Sequence, residues 1–285
     1  MNYDIVKNSQ RIQWTQEQID YIIDQYSNKM RSLSSIARDF SCDKESIQKV
    51  LLHNNVRLYT LEDYHPRNKD YFSVIDSYDK AYWLGMMYSD GCVTPRATGT
   101  YGVKLEMIDS EHVEKFKNAL GATRSKTTVI HPKGFENAST VYSVTIYDKK
   151  IGEDLIALGC VPRKSLSLTK LPNIEQKYIH SFIRGVFDGD GCLRYDKIRK
   201  CYGLSFVSGS VSFLTEIRDV LGISRIKVCH SHEKAYRFEL VAQNDLYCIL
   251  TSMYKDSTED SRLDRKYNKY QEFIEWYTNK NKEAV

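Results

Sequence analysis

Asp90 and Asp190 stand one hundred residues apart, each followed directly by glycine and each preceded five residues earlier by another glycine, Gly85 and Gly185. Carboxylate oxygens are hard donors. If the fold brings the two together, like-charge repulsion must be relieved by a proton or a bridging cation, and oxygen ligands of this kind favour Mg²⁺. A divalent ion held there would activate water and neutralise charge on a phosphate.

The two acids belong to a longer repeat. KAYWLGMMYSDGCV at 80 to 93 aligns with HSFIRGVFDGDGCL at 180 to 193, pairing Gly85 with Gly185, Asp90 with Asp190, Gly91 with Gly191 and Cys92 with Cys192. Leu120-Gly121 and Leu221-Gly222 then end a later helix in each copy, and a basic, alternating segment follows both. Each copy reads helix, two strands, helix, two strands, helix. Duplication of a whole supersecondary unit is the signature of a repeat architecture. Gly85 and Gly185, with the small residues Ser89 and Gly189, would let two helix backbones approach until the terminal acids emerge side by side. The expected fold class is α+β: two pseudo-symmetric αββαββα repeats at 79–160 and 161–260, forming a saddle of antiparallel sheets.

A small all-α domain is expected over residues 1–56. Thr15 caps a helix with Ile19, Ile22, Ile23 and Tyr26 on one face. A second helix over Ser32 to Phe40, a turn at Ser41-Cys42 and a third helix from Asp43 complete a helix-turn-helix pattern. Small Ala37 allows a close crossing, and Lys44, Glu45, Gln48 and Lys49 point outward, where a major groove could receive them. A plain three-helix bundle with a solvated face is the alternative. Residues 57–78 read as an extended linker, where Arg67 and Lys69 lie among aromatics and suit a phosphate backbone or a docked strap. A C-terminal helix is expected over 261–285, its stretch from Arg262 to Lys282 read as amphipathic packing.

Within the repeats, period-two alternation separates a buried from an open sheet face. Tyr142, Val144 and Ile146 turn inward, leaving Ser143, Thr145 and Tyr147 outward beside Arg124 and Lys126. Ile226, Val228, Tyr236, Phe238 and Leu240 turn inward in the second copy, with Arg225, Lys227, Arg237 and Glu239 on the open face. Arg96, Lys104 and Arg194 join these as candidate contacts to nucleic acid. A polar, moderately basic face suits base edges and phosphates.

The nonamers Trp83 to Gly91 and Ile183 to Gly191 resemble the two motifs of LAGLIDADG homing endonucleases, a similarity that covers about residues 70 to 255. The connector Pro162-Arg163-Lys164-Ser165 before Leu171-Pro172 also resembles the segment that precedes the second motif in single-chain members. The resemblance implies a monomeric, site-specific double-strand DNA endonuclease with internal pseudo-two-fold symmetry and on the order of two or three Mg²⁺ ions at the repeat interface. It maps Asp90 and Asp190 onto the catalytic, metal-binding acids and the carbonyls of Ser89 and Gly189 onto auxiliary metal contacts. Tyr88 departs from the acid usual at its position, whereas Asp188 keeps it, which bears on helix hydrogen bonding. Family members often supply a lysine near the metals from a late strand; Lys104 with Glu106, Lys149 and Lys227 are the candidates. A non-cleaving DNA-binding transcription regulator and an intron RNA maturase are alternatives on the same scaffold.

Bulk composition excludes little. The 285 residues carry 41 bases against 37 acids, a net charge of +4, so the chain is no polycation. Seven cysteines without a C-x-x-C pair suggest reduced thiols, and Cys92 and Cys192 read as the starts of buried strands. Cys229, His230 and His232 invite a zinc reading, but the parity of the two histidines matches buried Ile226 and Val228 and favours a structural role. No apolar run is long enough to span a bilayer, and the first residues lack a secretory pattern, so a place in the cytosol or nucleoid is expected.

Overall fold

The computed structural model describes residues 12–131, 139–162, 168–232 and 235–282. Two compact units divide the chain, one through Pro66 and one from Arg67.

In the first unit, Thr15 accepts from the Gln18 amide while Gln18 closes a capping box, starting α1 (Gln16–Ser27). Ser32 caps α2 (Leu33–Asp39) and Asp43 caps α3 (Lys44–His53), each side chain taking up an amide that the helix cannot satisfy. Ser41 takes φ of 51° in the turn between α2 and α3. Ile22, Tyr26, Ile36, Ala37, Ile47, Val50 and Leu51 form the core. Arg31 ties α2 to α1, reaching Asp39 at 2.6 Å and Gln25 at 3.1 Å.

The segment expected to be an extended linker is divided between the units. Tyr59 stacks on Tyr26 with ring centroids 4.7 Å apart, its amide donates to the Tyr26 hydroxyl, and α4 (Leu61–Tyr64) follows. From Arg67 onward the chain joins the second core, where Tyr71, Phe72 and Ile75 are buried. The reason is aromatic content: side chains of that size bury too much apolar surface to remain along a solvated tether.

The second unit realises the duplicated pattern. Its first copy runs α5 (Tyr78–Ser89), β1 (Gly91–Pro95), β2 (Tyr101–Met107), α6 (Ser110–Ala119), β3 (Thr127–Ile130), β4 (Val141–Asp148) and α7 (Lys149–Ala157). Its second runs α8 (Ile179–Asp190), β5 (Cys192–Asp196), β6 (Cys201–Ser208), α9 (Val211–Val220), β7 (Cys229–His232), β8 (Ala235–Leu240) and α10 (Gln243–Tyr254). A 3₁₀ turn at Glu259–Ser261 leads into α11 (Asp264–Lys282). The sheets are antiparallel and share one order, β1-β2-β4-β3 and β5-β6-β8-β7. The fold is therefore α+β with two αββαββα copies. Residues Arg163 to Ser165 of the expected connector lie outside the described residues.

Alternation sorts the sheet faces as expected, except that Ser143, expected on the open face, is buried. Val93, Val103, Leu105, Val144 and Ile146 enter the core from the first sheet, and Leu193, Leu204, Phe206, Phe238 and Leu240 from the second. Three further expectations are corrected. Arg225 to Val228 form a turn, closed by the Ile226 amide on the Ile223 carbonyl at 2.9 Å, and the strand begins only at Cys229. Ile226 and Val228 still dip against the core, which is why the sequence alternates there without a ladder. Cys192 is exposed and Cys92 half-buried, because both take the outward parity of their strands.

What joins the copies is the pairing of α5 with α8. A Cβ on Gly85 would lie 2.1 Å from the Phe182 carbonyl oxygen, and one on Gly185 2.1 Å from that of Tyr82. Those approaches are reciprocal under the repeat offset, so glycine is required at both positions and the helices meet backbone to backbone.

Candidate active site at the helix junction

Asp90 caps the C-terminus of α5, its amide donating to the Met86 carbonyl, and Asp190 is the last residue of α8. A Cβ on Gly189 would lie 3.0 Å from Asp90 Oδ2 and 2.0 Å from Ser89 Oγ. The Asp90 carboxylate thus rests against the end of the other motif helix, one residue from Asp190. Asp90 is half-exposed and Asp190 exposed, so both remain open to solvent.

Beneath this junction lies a buried polar network that ties α8 to the C-terminal segment. Asp188 accepts from the Tyr82 hydroxyl at 2.9 Å, the Tyr254 hydroxyl at 2.9 Å and the Leu263 amide at 2.8 Å. Burial pushes its carboxyl up, against the Lys266 charge and these donors, which favour the ionised form. Because Tyr82 gives its proton to Asp188, it must accept from His112 Nε2, 2.8 Å away, which fixes the imidazole tautomer. His112 Nδ1 is buried without a hydrogen-bond partner among the described residues, and burial lowers the ring to about 3. Arg184, fully buried, donates to the carbonyls of Met253 at 2.6 Å and Ser261 at 3.1 Å.

The side chain that sequence reasoning missed is Lys266, on the first turn of α11. Its ammonium donates to the carbonyls of Phe187 at 2.5 Å, Gly191 at 2.6 Å and Gly189 at 3.4 Å. Burial lowers it to about 8, while the charges of Asp188, Asp90 and Asp190 oppose that shift. A signal was present in the sequence: Lys266 falls on one helical stripe with Tyr270, Phe273 and Tyr277, where a lysine interrupts an apolar face. In the first copy, Tyr88 replaces the acid and its hydroxyl donates to the Leu158 carbonyl instead.

Two solvent-open carboxylates and the Ser89 and Gly189 carbonyls are all oxygen donors, which suits Mg²⁺, an ion that keeps several waters and takes one or two carboxylates plus phosphate oxygens. Among the described residues no cluster of three or more His, Cys, Asp or Glu could hold a metal, and Cys229 and His230 form no such cluster. The side chain of His232 lies outside the described residues. The Gly189 carbonyl also lies 3.4 Å from the Lys266 ammonium.

No family model matches the chain. Two uncharacterised proteins of Methanocaldococcus jannaschii are similar in sequence. MJ0314 is 26% identical over 213 residues, 73% of this chain and 72% of its own length. MJ0398 is 23% identical over 243 residues, 82% of this chain and 84% of its own. Among solved structures, the homing endonuclease I-WcaI bound to its DNA recognition sequence aligns at TM-score 0.48 and 14% identity, over 71% of this chain and 91% of that one. I-DmoI in complex with DNA and Mn aligns at 0.43 and 15%, over 67% and 100%. Full-length DUF199/WhiA from Thermatoga maritima aligns at 0.44 and 13%, over 79% and 67%.

The candidate nucleic-acid contacts fall into distinct settings. Lys44 and Lys49 are exposed and Gln48 half-buried on α3 of the first unit. Lys104 on β2 pairs with Glu106 at 3.0 Å, and Arg96 lies over the Tyr147 ring at 4.3 Å on the same outward face. Arg124 and Lys126 are exposed in the turn before β3. On the second sheet, Glu239 stands between Arg194 at 2.6 Å and Arg237 at 3.5 Å. Lys227 is exposed in the loop before β7, and Lys69 is half-buried.

Three candidates sit elsewhere than the sequence suggested. Arg67 is nearly buried in a 2.6 Å ion pair with Asp148, a core contact and not an open one. Arg225 pairs with Asp245 of α10, because its turn leaves the sheet before the strand begins. Lys149 opens α7 and faces Glu153 at 3.8 Å, one turn along its own helix.

Among the described residues no helix is long and apolar enough to cross a membrane.

Proposed function

We propose that this chain is a site-specific, Mg²⁺-dependent double-strand DNA endonuclease in which each repeat contributes one acid, Asp90 or Asp190. The observation that carries the reading is the Asp90 carboxylate lying against Gly189, so that two acids end paired helices beside two polar sheet faces. The motif resemblance supports it.

Asp90 and Asp190, with the Ser89 and Gly189 carbonyls, would hold the metal; when bound, Mg²⁺ supplies a Lewis acid and a more acidic water at the scissile phosphate. The protein's own part is positioning. The glycine contact of α5 and α8 fixes how far apart the carboxylates stand, and the outward Thr145, Tyr147, Arg194 and Arg237 would meet backbone and base edges. Two copies serve two strands, which fits a monomer on duplex DNA. Lys44, Gln48 and Lys49 of the first unit would add a separate major-groove contact.

Replacing Asp90 or Asp190 with Asn tests the assignment. Cleavage of a target selected from a randomised library should fall by at least about a hundredfold, with DNA affinity retained. Undiminished cutting by either variant would sink it. A non-cleaving DNA-binding protein is the second reading, favoured by one observation: the buried cation Lys266 reaches the Gly189 carbonyl, one of the oxygens that would hold the metal, at 3.4 Å. A protein that binds duplex DNA but never nicks it with Mg²⁺ or Mn²⁺ would be of this kind. Preference for structured intron RNA over duplex would indicate a maturase instead.

A further inference from the structure

The open face of the second sheet sets an acid between two cations, and the strand register shows how they come to meet. Arg194 on β5 faces Gly203 of the intervening strand β6, and on the other side of β6 Glu239 of β8 faces Ser205. β5 and β8 therefore lie roughly 10 Å apart, and an ordinary side chain on β6 would stand between theirs. Glycine leaves that place open to a neighbour. The Glu239 side chain leans into it, so that a Cβ on Gly203 would lie 3.3 Å from Glu239 Oε1. There Glu239 accepts from Arg194 Nη2 at 2.6 Å, while its other oxygen lies 3.5 Å from Nη2 of Arg237, two residues along β8 on the same face. Both arginines stay exposed, with the carboxylate half-buried between them. The first copy repeats the opening. Gly102 takes the equivalent place on β2, a Cβ there would lie 3.4 Å from the Tyr147 ring, and Arg96 rests on that ring at 4.3 Å.

We propose that Glu239 is a positioning residue that holds Arg194 and Arg237 as a pair of guanine readers, so that the half-site under the second sheet carries two guanines close together. The proposal rests on reading this chain as a duplex-DNA protein and names the bases that this sheet selects. A carboxylate on a face that approaches phosphates weakens binding by repulsion, so its use there lies in geometry. A guanidinium carries five N–H donors in a rigid plane; Glu239 engages one nitrogen of each arginine and leaves a further edge for the O6 and N7 acceptors of guanine. Ordering both long side chains before DNA arrives removes that cost from association. Two guanidiniums on one carboxylate can serve bases no more than about two steps apart, at roughly 3.4 Å per step. Contacts to phosphate alone would need none of this arrangement, since a point charge suffices.

The test is selection of bound duplexes from a randomised library by the full-length chain without divalent metal, so that base preference is read apart from cleavage. Wild type should enrich two guanines within about two base pairs of each other, and replacing either should weaken binding roughly tenfold. Arg194→Ala should relax one of these positions and Arg237→Ala the other. Glu239→Ala should relax both, while affinity for unrelated duplex rises with the loss of a negative charge. Gly203→Val, which closes the opening with the carboxylate still present, should also relax both. The proposal is overturned if wild type enriches no such guanines, or if the arginine variants leave the preferences intact. It is equally overturned if Glu239→Ala changes affinity alike for all sequences, as removal of a merely repelling acid would. A chain that binds no duplex at all sinks this proposal together with the DNA reading beneath it. Guanine selection through Arg194 and Arg237 by a protein that never cuts would remove only the endonuclease reading.

Discussion

At the level of single residues, the two motifs are alike in their terminal acids and unlike just beneath them. Tyr88 spends its hydroxyl on the Leu158 carbonyl, while Asp188 gathers Tyr82, Tyr254 and the Leu263 amide. That carboxylate orders the His112–Tyr82 chain, and it leaves a neutral imidazole in the core with its Nδ1 unpartnered among the described residues. The folded-state value near 3 lies below the unfolded value of 6.5, so the unfolded chain takes up this proton first. His112 therefore contributes stability that is complete above about pH 6.5 and is lost as pH falls toward 3, by up to about 1.4 kcal/mol per unit. Urea unfolding of wild type and His112→Gln should show a wild-type advantage at pH 7 that shrinks steadily below 6. A difference that stays flat across that range would contradict the assignment. Asp188, whose carboxyl is pushed up, works in the opposite sense on acidification and is common to both proteins.

For the elements, the decisive contact is α5 against α8. Their glycines bring each Cβ position to 2.1 Å from a carbonyl oxygen of the facing helix. Gly85→Ala should therefore force the helices apart and cost about 3 kcal/mol, at the upper end for overpacking because backbone and not a movable side chain blocks the methyl. Cleavage should fall further than DNA binding, since the acids lose registry before the sheets do. A variant with wild-type stability and activity would show that the junction is looser than drawn. The C-terminal helix belongs to this level too. Arg184, Asp188 and Lys266 make α8 depend on Met253, Ser261, Leu263 and α11.

Over the whole molecule, two units each have their own core, and the boundary falls at Pro66 and Arg67. If α3 of the first unit touches DNA through Lys44 and Lys49, deleting residues 1–66 should reduce the salt dependence of binding. Each phosphate that these lysines no longer neutralise should lower the slope of log affinity against log salt by about 0.9, a drop of roughly 1.8 for the pair. Binding isotherms at several salt concentrations measure this. An unchanged slope would confine DNA recognition to the second unit.

The sequence alone determined the duplication, the order of elements in each copy, the capped helices of the first unit and the position of both acids. Those features are written in local spacing: period two for strands, capping side chains before helices, and a nonamer repeated at one offset. Side chains whose partners lie far along the chain were not legible. Arg67 looked like a phosphate contact and is spent on Asp148, Arg225 left the sheet for Asp245, and Lys266, within a stretch read only as amphipathic packing, lies under the junction. Only the tertiary structure decides such cases, because the fate of a charged side chain is set by what packs over it; its sequence neighbourhood at most marks the position, as the apolar stripe around Lys266 does.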